Sequence, residues 1–388
     1  MEYEFRGSVI KQVESIIQEA VSSAVSDIHI EPYEKKYRLR YRIDGVLQEV
    51  AALQFNQKEA MVSRVKIMAD LDIAEKRRPQ DGRIKFRNHD GNEIDIRVSI
   101  LPTQHGEKVV LRILDKSQLQ LKLESLGFND DILKDFRNAI HNPYGMVLVT
   151  GPTGSGKTTT LYASLNELNT SEVNITTIED PIEYNLEGIN QTQVHEEIDL
   201  SFSHVLRSIL RQDPNIIMVG EVRDKETAEI AIRSALTGHM VFSTLHTNDA
   251  ASAVSRLVDM GVEPFLLASS IRLVMAQRLV RKICEKCKMD YKPDPQILKD
   301  LGLQEDKNYI KGAGCVECNH TGFKGRTALI ELLVFDGNIT EKVLQNTDAG
   351  ELKQVARKKG MTTLREVGIE KVKKSVTTVE EIYRETVL

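Results

Sequence analysis

Residues 151–158 read Gly-Pro-Thr-Gly-Ser-Gly-Lys-Thr and match the phosphate-loop pattern G-x-x-x-x-G-K-[ST] at every defined position. The apolar run Met146–Thr150 precedes them and Thr159-Thr160-Leu161-Tyr162 follows, so the sequence predicts a strand, a loop and a helix in that order. Gly151, Gly154 and Gly156 let successive backbone N–H groups face one anion. The helix start behind them adds its positive dipole end. Lys157 is placed to reach the β- and γ-phosphates, and the Thr158 hydroxyl to ligate Mg²⁺. Pro152, Thr153, Ser155 and Thr159 complete the expected contact stretch. A glycine-rich turn without function does not call for the Lys-Thr pair. The pattern points to a nucleoside triphosphate.

Outward from this loop, residues 125 to about 250 alternate apolar strands with helices, the mark of a parallel sheet with crossovers. Four strand ends carry polar residues: the phosphate loop itself, Thr177-Ile178 into Glu179-Asp180-Pro181-Ile182-Glu183, Val219-Gly220 into Glu221, and Ser243-Thr244-Leu245 into His246. Open parallel sheets bind ligands beyond the carboxyl ends of their strands, so these groups are expected to converge. Phosphoryl transfer to water needs a metal, an oriented water and compensation of charge on the γ-phosphate. Glu221 is the expected acid for Mg²⁺ or the attacking water. Glu183 and Glu179 are favoured over Asp180 as further carboxylates. His246 either senses the γ-phosphate or satisfies a buried backbone carbonyl. The loop itself contains no arginine, so charge compensation is sought from Arg83, Arg97 and Arg112, or from Arg278 and Arg281 after the sheet.

Before the sheet, apolar residues from Val9 to Ala24 recur at helical spacing, and short alternating stretches near 28–30, 37–43 and 46–50 read as an antiparallel meander. A helix over 58–69, a basic loop Lys76–Gly82 and strands at 83–87, 93–100 and 108–114 complete a small α+β domain over 1–115. A linker is expected at 116–124 and the ATP-binding domain at 125–282. Beyond 336 the chain reads as helical, with start signals at Asp348-x-x-Glu351 and Thr378-x-x-Glu381.

All four cysteines fall into two pairs, Cys284-x-x-Cys287 and Cys315-x-x-Cys318. Each pair lets two thiolates grip one ion, and two pairs complete a tetrahedron around Zn²⁺. Such a site leaves no position for water, so the expected zinc-binding subdomain, 283–335, is structural. The 388 residues allow two to three domains. A net charge of −5, 5% aromatics and no Trp argue against a nucleic-acid motor. No apolar run approaches the ~20 residues needed to cross a bilayer, and no leader pattern opens the chain. The expectation is a cytoplasmic protein that meets membranes through partners.

Taken together, these residues resemble the secretion-type ATPases of type IV pilus and type II secretion systems. The resemblance rests on Ser26-Asp27-Ile28-His29-Ile30-Glu31-Pro32 and Arg42-Ile43-Asp44-Gly45, on the acidic box Glu179–Glu183, and on Leu210–Pro214 leading to Val219–Asp224. It also rests on Thr237-Gly238-His239 through Ser243–Ala250. It implies a RecA-like ATPase domain, a preceding PAS-like α+β domain and an all-helical C-terminal subdomain. It further implies a homohexamer of two-fold symmetry whose nucleotides each lie between the ATPase domain and the domain preceding it. Arg83, Arg97 and Arg112 are then expected at the phosphates, and Arg278 and Arg281 near the nucleotide. ATP and Mg²⁺ are the implied ligands, and an inner-membrane platform protein and accessory assembly proteins the implied partners. The paired cysteines resemble the assembly and secretion branches more than retraction motors, with pilus extension preferred to type II secretion. No counterpart of the family's first N-terminal domain precedes the helix at residue 9, so recruitment is expected to differ or that domain to have been removed.

Overall fold

The computed structural model describes residues 7–114 and 122–386. It divides into two compact units, Met1–Leu119 and Gln120–Leu388. Residues 116–121 of the expected linker lie outside the described residues, and Leu123–Leu126 form one tight helical turn.

In the first unit, α1 (Val9–Ser22) and α2 (Lys58–Met68) accompany six strands: β1 (Asp27–Pro32), β2 (Tyr37–Ile43), β3 (Val46–Ala52), β4 (Gln80–Arg87), β5 (Glu93–Thr103) and β6 (Gly106–Leu114). The order is β3-β2-β1-β6-β5-β4 with every pairing antiparallel. Alternation sends Ile28, Ile30, Leu39, Ile96 and Leu111 into one core with Ile16, Ile17, Val62 and Val65 of the helices. The Tyr41 hydroxyl donates to Ile16 O at 2.8 Å and ties sheet to helix. The basic loop is shorter than expected because β4 starts at Gln80. A Cβ on Gly82 would lie 2.8 Å from Ala69 O, so only glycine lets this strand pass the end of α2.

In the second unit, α3 (Asp130–Ile140) leads to β7 (Gly145–Thr150), α4 (Lys157–Leu168), β8 (Ile175–Glu179) and β9 (Asn190–Gln193). There follow α5 (Phe202–Ile209), β10 (Ile216–Val219), α6 (Lys225–Leu236), β11 (Met240–Leu245), α7 (Ala250–Asp259), α8 (Pro264–Ser270) and β12 (Ile271–Ile283). The sheet order is β15-β12-β7-β11-β10-β8-β9, parallel except for β15 (Phe323–Val334), which runs antiparallel to β12. Strands β7, β8, β10 and β11 are buried at every residue, which is why they read as continuous apolar runs.

Two expectations are corrected by this sheet. Arg278 and Arg281, expected after it, lie inside β12, and Phe323–Val334, expected within the cysteine subdomain, is a sheet strand. Between them sit β13 (Lys288–Tyr291), α9 (Pro295–Asp300) and β14 (Tyr309–Gly312), with β13 and β14 forming a small ribbon. The chain continues in four short helices, α10 (Gly337–Leu344), α11 (Ala349–Lys358), α12 (Leu364–Lys373) and α13 (Val379–Glu385). The side chains of Asp336, Asp348, Thr363 and Thr378 cap them. Among the described residues no helix is long and apolar enough to cross a membrane.

Candidate nucleotide site and thiol cluster

Strand β7 delivers Gly151 against the β12 backbone, where an added Cβ would meet Gln277 O at 2.4 Å. Gly156 takes a φ of 89° as α4 begins, and a Cβ there would lie 2.8 Å from the Gln277 amide nitrogen. Lys157 Nζ donates to Gly151 O at 2.8 Å and Pro152 O at 3.0 Å. Burial, with Arg278 nearby, pulls Lys157 down to about 8, and the Glu221 charge only partly opposes this. The Ser155 hydroxyl is buried and has no hydrogen-bond partner among the described residues. An unsatisfied donor under a glycine-rich loop fits an anion that the loop would surround. Thr158 and Thr159 sit half-buried on the first turn of α4, whereas Thr160 turns inward and donates to the Gln277 amide oxygen at 2.8 Å.

The strand ends do converge. Thr150 pairs with Leu245, Ser243 with Val219, and Val219 with Ile178, which places the four carboxyl ends side by side. Glu221, just past β10, lies 3.2 Å from His246 Nε2 and also accepts from Arg223 Nη2. Arg223 reaches Asp180 as well, at 3.3 Å. His246 thus faces a carboxylate rather than a buried backbone carbonyl. Glu179 is different. Its carboxylate is buried and accepts from the Tyr162 hydroxyl, from Thr177 Oγ1 at 2.6 Å and from Gln191 Nε2 at 3.0 Å. Burial and the Glu179 charge push the Tyr162 phenol well above its usual range. Expected as a catalytic acid, Glu179 is tied into the interior. The Glu183 N–H donates to the same Tyr162 oxygen at 3.3 Å, so this tyrosine braces the acidic box from beneath.

The arginines divide into two kinds. Arg278 is buried and donates through Nη2 to Asn248 O at 3.0 Å and Oδ1 at 3.3 Å, behind the phosphate loop. Arg281, expected at the nucleotide, donates to Glu381 on α13 at 2.7 Å and lies 3.9 Å over the Phe323 ring. In the first unit Arg83 pairs with Arg97, Arg97 with Arg112, and Arg112 with Asp27. Directly paired residues share a sheet face, so the three arginines form one transverse row. Arg112 Nε donates to Asp27 Oδ1 at 2.9 Å.

All four cysteine sulfurs lie within 4.8 Å of one another, and the separations Cys284–Cys315, Cys287–Cys318 and Cys315–Cys318 are 3.8, 3.9 and 3.7 Å. Four sulfurs ~2.3 Å from a tetrahedral Zn²⁺ stand ~3.8 Å apart, so the cluster fits that ion. Backbone N–H groups support the thiolates: Gly314 to Cys287 at 3.3 Å, and Cys315 and Gly322 to Cys318 at 3.2 and 3.3 Å. Although burial pushes the Cys318 thiol up, these N–H groups bring it down to about 7.

Residues 2–384 match the sequence model of the family described as Type II/IV secretion system protein. The chain belongs to this family. It is 52% identical over 383 residues to the type IV pilus assembly ATPase PilB of Myxococcus xanthus, covering 97% of this chain and 68% of that protein. Identity is 49% over 389 residues to the type II secretion system ATPase E of Vibrio cholerae, covering 100% of this chain and 77% of that one. Among solved structures, the pilus retraction motor PilT with bound ADP shares 27% identity and a TM-score of 0.65, with 96% of each chain covered. The DotB ATPase of Yersinia pseudotuberculosis, at 21% identity and a TM-score of 0.73, covers 100% of this chain and 97% of its own, and shows likeness of fold alone.

In this secretion-family ATPase the site also gathers residues that spacing did not reveal. Gln277 backs the phosphate loop, Arg223 joins Glu221 to Asp180, and Tyr162 with Gln191 holds Glu179. Arg223 could have been singled out, since it follows Glu221 by two positions at a strand end. Gln277 breaks the apolar run of β12 beside Arg278 and was likewise open to notice, whereas nothing in the α4 sequence marks Tyr162.

Proposed function

We propose that this ATPase powers type IV pilus extension as a cytoplasmic homohexamer, acting at the inner membrane through a platform protein. The observation that carries the chemistry is the Glu221–His246 pair, 3.2 Å apart, beyond the same strand ends that present the phosphate loop. In this reading Ser155 and the loop N–H groups take the β-phosphate, and Lys157 leaves the Gly151 and Pro152 carbonyls for the β- and γ-oxygens. Thr158 and Glu221 are the residues that would hold Mg²⁺, which supplies Lewis-acid compensation of phosphate charge when bound. Glu221 takes up and orients the attacking water, His246 sets the Glu221 carboxylate, and Glu183 borders the site. Arg278 positions the loop after β11.

Arg83, Arg97 and Arg112 are assigned to the γ-phosphate. The three lie in one transverse row on one sheet face, an arrangement that would present several positive charges to one anion. The cysteine tetrad holds structural Zn²⁺ in a segment between β12 and β15, and the four last helices form a C-terminal subdomain. A PAS-like description of the first unit belongs to the same reading, supported by β1 pairing in mid-sheet with β6. Similar identity to pilus and type II secretion relatives supports the pseudopilus ATPase as a second reading.

Glu221→Gln tests the assignment. ATP turnover should fall at least ~10²-fold while nucleotide affinity stays near wild type, because the water-directing group is lost and the phosphate contacts remain. Unchanged turnover would remove Glu221 from the mechanism.

A further inference from the structure

The loop His246–Asp249 is fastened on three sides. Towards the phosphate loop, the Thr247 N–H donates to Thr150 Oγ1 at 2.9 Å. Behind it, Arg278 holds Asn248 through two contacts. On the third side, Lys353 of α11 donates to Asp249 Oδ2 at 2.7 Å, with its ammonium 4.0 Å from Glu331 Oε2. Asp249 Oδ1 meanwhile accepts the Ser252 N–H at 2.8 Å and caps α7.

Glu331 lies fully inside the protein on β15, and its two oxygens accept the Ala250 N–H at 2.9 Å and the Leu364 N–H at 3.3 Å. These are the first residues of α7 and α12, so two helix N-termini and one lysine share this carboxylate. Lys353 is the cation in direct contact with Asp249, and Arg278 also lies within electrostatic reach of both acids. Without Lys353, the repulsion between Asp249 and Glu331 across the start of α7 would grow, and one of the three fastenings of the loop that carries His246 would be lost.

We propose that Lys353 is a positioning residue for ATP hydrolysis: from the C-terminal helices it holds Asp249, and through it sets His246 against Glu221. The inference rests on the role given to His246 above. It makes the helical region after β15 a part of the hydrolytic machinery.

The test is steady-state ATPase kinetics of the full chain for Lys353→Met, Lys353→Arg, Asp249→Asn, His246→Ala and the double variant His246→Ala/Lys353→Met. Nucleotide affinity and melting temperature are measured alongside. Lys353→Met should lower kcat about tenfold, the scale of a displaced helper group, with KM and nucleotide affinity within about twofold of wild type. Lys353→Arg should recover most of the rate. Asn at 249 keeps the α7 cap but weakens the ion pair, so Asp249→Asn should repeat the kcat loss even if Lys353→Met does not fold. The double variant should be no slower than His246→Ala.

A normal kcat in folded Lys353→Met or Asp249→Asn, or a loss that multiplies in the double variant, overturns the inference while leaving His246 its role. A wild-type rate in His246→Ala overturns that role instead, and the route proposed through it.

Discussion

Lys157 donates to two carbonyls of its own loop and is pulled down to about 8 by burial. A bound triphosphate favours the charged form, so above pH 8 binding must take up a proton. Nucleotide affinity should therefore hold below about pH 8 and fall above it, by up to about tenfold per pH unit. Titration with a fluorescent nucleotide across pH 7 to 10 would check this, and a flat profile would mean that Lys157 stays charged in the empty loop. The phosphate loop was legible because its chemistry is local: eight consecutive residues make the cradle. The surroundings of Glu179 were hidden for the opposite reason. Its partners Tyr162 and Gln191 come from α4 and β9, and nothing in the acidic box announces them. Tyr162→Phe should accordingly cost about 1–3 kcal/mol of stability in denaturant unfolding, the penalty of a buried acceptor losing a donor. A Tyr162→Phe protein as stable as wild type would mean that this hydrogen bond does not help to hold the acidic box in place.

At the scale of elements, the parallel strands were readable as apolar runs because both their faces are buried, and the capped C-terminal helices because capping is a short-range pattern. Strands β12 and β15 were not, since an apolar run such as Leu273–Ala276 fits a helix or a strand equally well, and the pairing that decides between them spans about fifty residues. That pairing also determines what the cysteines hold together. Ile283 pairs with Phe323, so the tetrad sits directly on the outer end of the β12–β15 ladder. Within the tetrad a Cβ on Gly312 would lie 2.0 Å from Gly322 O, which leaves the thiol-bearing turns no slack. Metal analysis should find one zinc per chain. Cys284→Ser with Cys315→Ser should lower the melting temperature sharply, since structural zinc binding is worth on the order of 10 kcal/mol. A double variant that melts like wild type would leave the sulfur tetrahedron without a structural task.

The chain as a whole carries a net charge of −5, yet its first unit lines up Arg83, Arg97 and Arg112 on one sheet face. Only Asp27 follows them in the row before Arg42 restores positive charge. Such a row of like charge is a surface suited to a polyanion presented to it. Under the proposed function that polyanion is the nucleotide. The combined variant Arg83→Ala/Arg97→Ala/Arg112→Ala should then lose as much as ~10³-fold in kcat, the scale of arginine compensation in other nucleotide hydrolases. Mixing its subunits with Lys157→Ala subunits decides which chain serves which site. If each nucleotide is completed by the domain that precedes it in its own chain, every site in a mixed ring lacks either the lysine or the arginines, and mixing restores nothing. Recovery of turnover on mixing would mean that the arginines reach the neighbouring subunit's nucleotide.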